Sequence, residues 1–197
     1  VNRTLHLKEP PADAWDRFTP LVQGNIVHDT LRSHYETGEP VADAFQAAFA
    51  RHCEKEQIPA GYRTEAIRLD LLTSVEKFVD RFDAAGEGSS LFEQPFELKL
   101  DSDVCVTGRI DRLHVDGQGR ALVLDYKYKS KNRMKDMSGE YEQGLVVQGG
   151  LYLLAARKLL PQAETVGMLY CGCKRSLEYF GWLLHPYWPQ GRNTCSP

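Results

Sequence analysis

The chain has 197 residues, of which 42% are apolar and 26% charged, with a net charge of -3. That length suffices for one domain with a proper core, the composition is that of a globular protein, and the charge excludes a surface coated in positive charge, so a nucleic-acid partner would need a local basic patch. No apolar stretch approaches the roughly 20 residues of a membrane span, no basic-then-apolar leader opens the chain, and the first residue is Val1, as expected of a fragment or processed form of a longer protein.

Five cysteines (Cys53, Cys105, Cys171, Cys173 and Cys195) are odd in number and irregular in spacing. They do not read as a disulfide framework, and a reducing, cytoplasmic setting is expected.

In chain order, the first half reads helical. Leu21 to Tyr35 carries Ile26, Val27 and Leu31 at helical spacing. Pro40 can open a second helix whose inner face is Val41, Ala44, Phe45, Ala48 and Phe49,. Thr64 to Phe82 forms a third, and the run Gly86-Glu87-Gly88-Ser89-Ser90 breaks the pattern,. A strand is expected from Phe92 to Leu100. Val104 to Val115 and Arg120 to Lys127 then flank Asp116-Gly117-Gln118-Gly119, a hairpin signal,. A polar, basic stretch follows from Ser130 to Glu142, then a helix from Leu145 to Leu160, then strands over Val166 to Cys171 and Tyr179 to Leu184. Helices packed on a mixed sheet give an α/β class. The expected organisation is one domain over 1–185, with a helical section 13–85 and an α/β core 92–185, and a loosely ordered tail 186–197,.

The hairpin concentrates the chemistry. Asp is rare inside strands and costly to bury unpaired, yet Asp111 lies within one strand and Asp125 near the end of the other. With a three-residue loop, Gly117-Gln118-Gly119, Asp116 pairs with Arg120 and Asp111 falls opposite Asp125, with Cβ atoms about 5 Å apart on one face. A two-residue turn would shift the register by one and separate them. Alternation puts Asp125 and Lys127 on one face. Carboxylates so placed repel each other unless a positive charge lies between them. Lys127 helps; a divalent cation helps more, and carboxylate oxygens suit Mg²⁺ or Mn²⁺. Such a cation acidifies a bound water and neutralises phosphate charge, while an adjacent lysine orients that water or stabilises the charged transition state. The competing reading is a surface hairpin with an ordinary ion pair.

"GRIDR" (Gly108 to Arg112), "LVLDYK" (Leu122 to Lys127), "QGGLY" (Gln148 to Tyr152) and "GNIVHDTL" (Gly24 to Leu31) stand in an order that resembles the PD-(D/E)XK nuclease superfamily, and within it the RecB-like branch of helicase–nucleases and CRISPR-associated exonucleases. The resemblance implies a restriction-endonuclease-like core: a mixed central β-sheet flanked by helices, with an N-terminal helical section. It implies His28, Asp111, Asp125 and the backbone carbonyl of Tyr126 as metal ligands, with an imidazole making Mn²⁺ more acceptable. It also implies Lys127 as the catalytic lysine, Gln148 and Tyr152 beside it on one helix face, and Glu93 as an accessory acid, with Glu97 its neighbouring candidate. The basic run Lys127, Lys129, Lys131, Arg133 and Lys135 leaves this strand; Lys129, Lys131 and Arg133 are placed for DNA phosphates and are expected to order on binding. Some relatives hold a [4Fe–4S] cluster, but Cys171, Cys173 and Cys195 lack its spacing and no Cys precedes His28,.

The function so implied is metal-dependent DNA cleavage, as an exonuclease module of a repair or recombination machine with a helicase domain or subunit as partner. Two rivals stand beside it: a retired nuclease fold that binds DNA or a protein, and a hydrolase of another phosphate ester.

Overall fold

A computed structural model of the protein describes residues 14–82, 88–101, 103–175 and 177–184. After a 3₁₀ turn (Ala14–Arg17), three helices come first: α1 (Pro20–Thr37), α2 (Val41–Lys55) and α3 (Tyr62–Phe82). Helix α1 starts where Thr19 accepts a hydrogen bond from the Val22 N–H and Pro20 fills the first position,. It ends at Gly38, whose φ of 74° favours a residue without a Cβ,.

Three strands follow: β1 (Gly88–Lys99), β2 (Cys105–Asp116) and β3 (Arg120–Lys127). Two helices, α4 (Lys131–Glu142) and α5 (Gln148–Leu159), carry the chain to β4 (Glu164–Gly172) and β5 (Glu178–Leu183). The sheet order is β1-β2-β3-β4-β5; β3 and β4 run parallel and the other pairs antiparallel. The sheet is therefore mixed and flanked by helices, as the sequence reading expects.

Strand β3 shows why the sheet is covered on both faces. Leu124 and Tyr126 join the core built with Ile26, Leu31, Phe45, Leu71 and Phe78 of the first three helices. Ala121 and Val123 join the second core, with Tyr152 and Ala155 of α5 and Met134 and Tyr141 of α4. A strand that follows alternation between two apolar layers reads as a continuous apolar run, and "ALVL" is that run. Among the described residues, no helix is long and apolar enough to cross a membrane.

Two differences from the sequence reading have plain causes. The polar stretch after Ser130 is a helix: Met134, Met137 and Tyr141 recur at helical spacing and are buried,. Its remaining positions are so polar that the apolar stripe is thin. Helix α5 begins at Gln148 rather than Leu145, because Gly144 turns the chain at φ 69° and leaves Leu145 and Val147 exposed. The start of β1 at Gly88 takes in part of the run expected to be a break. The expected tail and Cys195 lie outside the described residues.

Candidate active site

The β2–β3 hairpin closes as the three-residue alternative requires. Observed pairs run from Arg112 opposite Leu124 to Val115 opposite Ala121. The same register carried outward sets Asp116 against Arg120 and Asp111 against Asp125. Asp116 fastens the loop: its carboxylate accepts hydrogen bonds from the N–H groups of Gln118 (2.9 Å) and Arg120 (3.0 Å) and from the Arg120 guanidinium, while Gly119 takes φ 77°,.

At Asp111 the alternation of β2 breaks. Ile110 and Leu113, three apart, both lie in the core beneath α5, and Arg112 lies over the ring of Tyr35 on α1, 4.3 Å from its centroid. Asp111 is thereby free to meet the helical layer. Its Oδ2 accepts the Tyr126 N–H at 2.8 Å and stands 3.3 Å from His28 Nδ1. Across β2 the register brings Glu93 beside Asp111, between the pairs Phe92–Arg112 and Gln94–Ile110. Glu93 has φ 50°, a left-handed conformation in mid-strand,. His28, Glu93 and Asp111 each offer one ligand atom, all within 4.8 Å of one another.

Asp125 takes a different direction. It is 1% exposed, and Lys127 Nζ lies 2.5 Å from its Oδ2 as an ion pair. Apart from Lys127, that oxygen has no hydrogen-bond donor among the described residues. The lysine also sits 5.7 Å from the centroid of the Tyr170 ring; Tyr170 is the register neighbour of Asp125 on β4 and hydrogen-bonds to Tyr141. Asp111 and Asp125, which the sequence expects to share one cation, each have a partner of their own here. They are opposite in register, but the break at Asp111 turns it to His28, while Asp125 stays on the face of Ala121 and Val123 beneath Lys127. Of the two acids, only Asp111 belongs to the cluster, and Glu93 completes it.

The electrostatics of the site favour a cation. Burial pushes the Asp125 carboxyl up to about 6; the Lys127 charge pulls it down and Asp111 pushes it up. Burial and repulsion from Asp111 raise Glu93 against the pull of Arg109, whose Nε lies 2.5 Å away. Burial works against a charged His28, but the Asp111 hydrogen bond and charge outweigh it and raise the ring. One imidazole nitrogen and two carboxylates, one of them disfavoured as an anion, form a donor set that fits Mg²⁺ or Mn²⁺.

These groups open on a cleft of about 820 Å³. Its lining includes His28, Glu93, Asp111, Tyr126 and Lys127, with Arg32, Arg109, Lys129, Arg133 and Lys174 around them. Lys129 and Arg133, which the sequence reading expects at DNA phosphates, line the cleft. Lys131 is not in the lining; it pairs with Glu178 at 3.1 Å. Arg32, Arg109 and Lys174 also line the cleft; in the sequence Arg109 stands inside "GRIDR" and Lys174 beside Arg175, and neither position marks a phosphate contact.

Gln148 and Tyr152 lie outside the lining and touch each other: Gln148 Nε2 donates to Tyr152 Oη at 2.8 Å. The Tyr152 ring packs edge-on against Phe96, 5.7 Å between centroids. Burial raises its hydroxyl and the charges of Asp125 and Asp111 raise it further, which places it near both acids. Glu97 is not in the metal-binding group. Cys171 and Cys173 are buried in the core under the first three helices, and burial drives both thiols up,.

A family model described as PD-(D/E)XK nuclease superfamily matches residues 1–181. No curated protein matches the chain.

Proposed function

Because the chain belongs to the PD-(D/E)XK nuclease superfamily, we propose that it hydrolyses the phosphodiester backbone of DNA with Mg²⁺ or Mn²⁺. The observation that carries this reading is the meeting of His28, Glu93 and Asp111 in the cleft that Lys127 also lines. His28, Glu93 and Asp111 would hold the cation; the sequence resemblance adds Asp125 and the Tyr126 carbonyl. When bound, the cation neutralises charge on the scissile phosphate and acidifies a water.

The chain's own groups do the rest. Lys127 presents an ammonium to the cleft, fixed in direction by Asp125 at 2.5 Å; it orients the attacking water or takes up charge on the phosphoryl oxygens. Asp111 is held by the Tyr126 N–H, which ties this residue of β2 to the strand carrying Lys127. Lys129, Arg133 and Lys174 grip flanking phosphates without reading sequence. Exonuclease action, a place in DNA repair or recombination, a helicase partner and a cytoplasmic location rest on the likeness of the motifs to the RecB-like branch. The mildly acidic net charge of -3 accords with a module that relies on neighbours to hold DNA,.

The test is cleavage of end-labelled single- and double-stranded DNA in Mg²⁺ and in Mn²⁺, beside Asp111→Ala, Asp125→Ala and Lys127→Ala. The expected outcome is cutting by the wild type and loss in each variant by on the order of a hundredfold or more. Binding without cutting in either metal would replace this reading with that of a retired nuclease fold. The product lengths from a long labelled duplex distinguish end-directed from internal cleavage.

A further inference from the structure

Helix α1 carries Gly24 in its interior, where glycine is destabilising,. Packing does not require it: a Cβ built there would meet no atom of another element within 4 Å. Its φ is not of the kind that excludes a side chain either, for Gly24 is an ordinary residue of an α-helix. Yet Gly24 faces the cleft, one turn before His28, as do Leu21 and Asn25. Leu21 is 72% exposed. This end of α1 thus presents a smooth, uncharged strip leading up to His28. Of the cations that line the same cleft, Arg32 and Arg109 are paired with Asp29 and Glu93; Lys129, Arg133 and Lys174 come from the segment after β3, from α4 and from the β4–β5 turn.

We propose that the nucleic-acid strand passes over α1 at Gly24, its sugar–phosphate backbone occupying the space a side chain would fill. Leu21 lies against sugar or base carbons, and the phosphates turn toward the three cations. Gly24 stands four residues from His28, about 6 Å along the helix axis, so the contact is with a nucleotide beside the scissile phosphate and not with the reacting atoms. Gly24 is then a positioning residue whose missing side chain is its contribution. The inference rests on the nuclease reading and adds to it the track of the substrate.

The test compares Gly24→Ala and Gly24→Leu with Gly139→Ala, a control in α4 at a position equally open to a Cβ. Three quantities are read: melting temperature, Mn²⁺ affinity by electron paramagnetic resonance, and affinity for a fluorescent single-stranded oligonucleotide with Ca²⁺ in place of Mg²⁺. Both alanine variants should melt at or above the wild-type temperature, since alanine favours the helix. Gly24→Ala should weaken DNA binding about fivefold and Gly24→Leu more, by the cost of crowding a filled space, with Mn²⁺ affinity unchanged. Wild-type DNA affinity in Gly24→Leu overturns the proposal. So does a parallel loss of Mn²⁺ affinity, which would place the effect on His28. A wild type that neither binds nor cuts DNA sinks the nuclease reading and this inference together; one that does both, with Gly24 indifferent, sinks this inference alone.

Discussion

His28 Nδ1 lies 3.3 Å from Asp111 Oδ2 and joins the helical layer to the sheet at the floor of the cleft. Burial disfavours the charged ring, yet Asp111 holds it above its ordinary value of 6.5. A raised folded-state value means that the metal-free protein draws stability from this pair below pH 6.5 and loses it as pH climbs through the folded value. Metal binding runs the other way, because the imidazole must give up its proton before it can ligate. The rise in melting temperature on adding Mn²⁺ should therefore grow as pH rises through the neutral range. Calorimetry in buffers of different ionisation enthalpy should show proton release on binding. His28→Asn should flatten both; proton-neutral uptake by the wild type would remove His28 from the ligand set.

Glu93 tests whether backbone strain has been accepted for the sake of a ligand. Among the described non-glycine residues, it alone takes a positive φ within a strand, which costs on the order of 1 kcal/mol. Glu93→Gly should relieve that cost and melt no lower than wild type, while weakening Mn²⁺ about tenfold or more through loss of a carboxylate ligand. Glu93→Gln should weaken Mn²⁺ likewise without the gain in stability. Unchanged metal affinity in both would reduce Glu93 to the partner of Arg109.

What could be read in advance divides along physical lines. Elements whose burial is one-sided or total announce themselves, as with Ile26, Val27 and Leu31 of α1 or the "ALVL" of β3. So does the hairpin, because Gly119 and Asp116 specify its loop locally. Helix α4 was hidden since three apolar residues, Met134, Met137 and Tyr141, carry its packing amid charges. The pairing of Asp111 with Asp125 followed from register, but the direction of each carboxylate did not. That depends on the break in alternation between Ile110 and Leu113, which no local signal marks. Tyr170, whose ring meets the lysine from β4, and Tyr141, which hydrogen-bonds to that tyrosine from α4, carry no local signal because their elements are distant in sequence.

Asp116 governs the hairpin that sets this register. The Arg120 guanidinium, then the Arg120 and Gln118 N–H groups, hold its carboxyl down at about 2, against the usual 3.8. A depressed value means stability that is present above pH 3.8 and lost as pH falls toward 2. Asp116→Asn should melt below wild type at neutral pH, and the gap should close as pH is taken from 4 to 2. A gap independent of pH would assign the effect to shape rather than charge.

Tyr170 is expected to steady Lys127 through its ring face, 5.7 Å from the ammonium. Replacing the ring by an aliphatic side chain forfeits a cation–π contact worth about 0.5–1 kcal/mol. Single-turnover cleavage by Tyr170→Leu should slow by about two- to fivefold, with Tyr170→Phe closer to wild type. Equal loss in both would point to the Tyr141–Tyr170 hydrogen bond instead.

The Lys127–Asp125 pair separates stability from chemistry. Lys127→Met leaves Asp125, 1% exposed, without its 2.5 Å partner, and stranding a buried charge costs on the order of 3 kcal/mol. Asp125→Asn removes the charge and keeps the shape, so it should be tolerated far better in the metal-free protein, and the double variant should recover most of what Lys127→Met loses. Melting temperatures across the four proteins give the coupling between the two sites. Cleavage should not follow them: if the lysine acts on the water or phosphate, the double variant stays as inactive as either single one. Recovery of cutting together with stability would show that Lys127 serves only to neutralise Asp125, and the catalytic assignment would pass to the cations on the cleft wall.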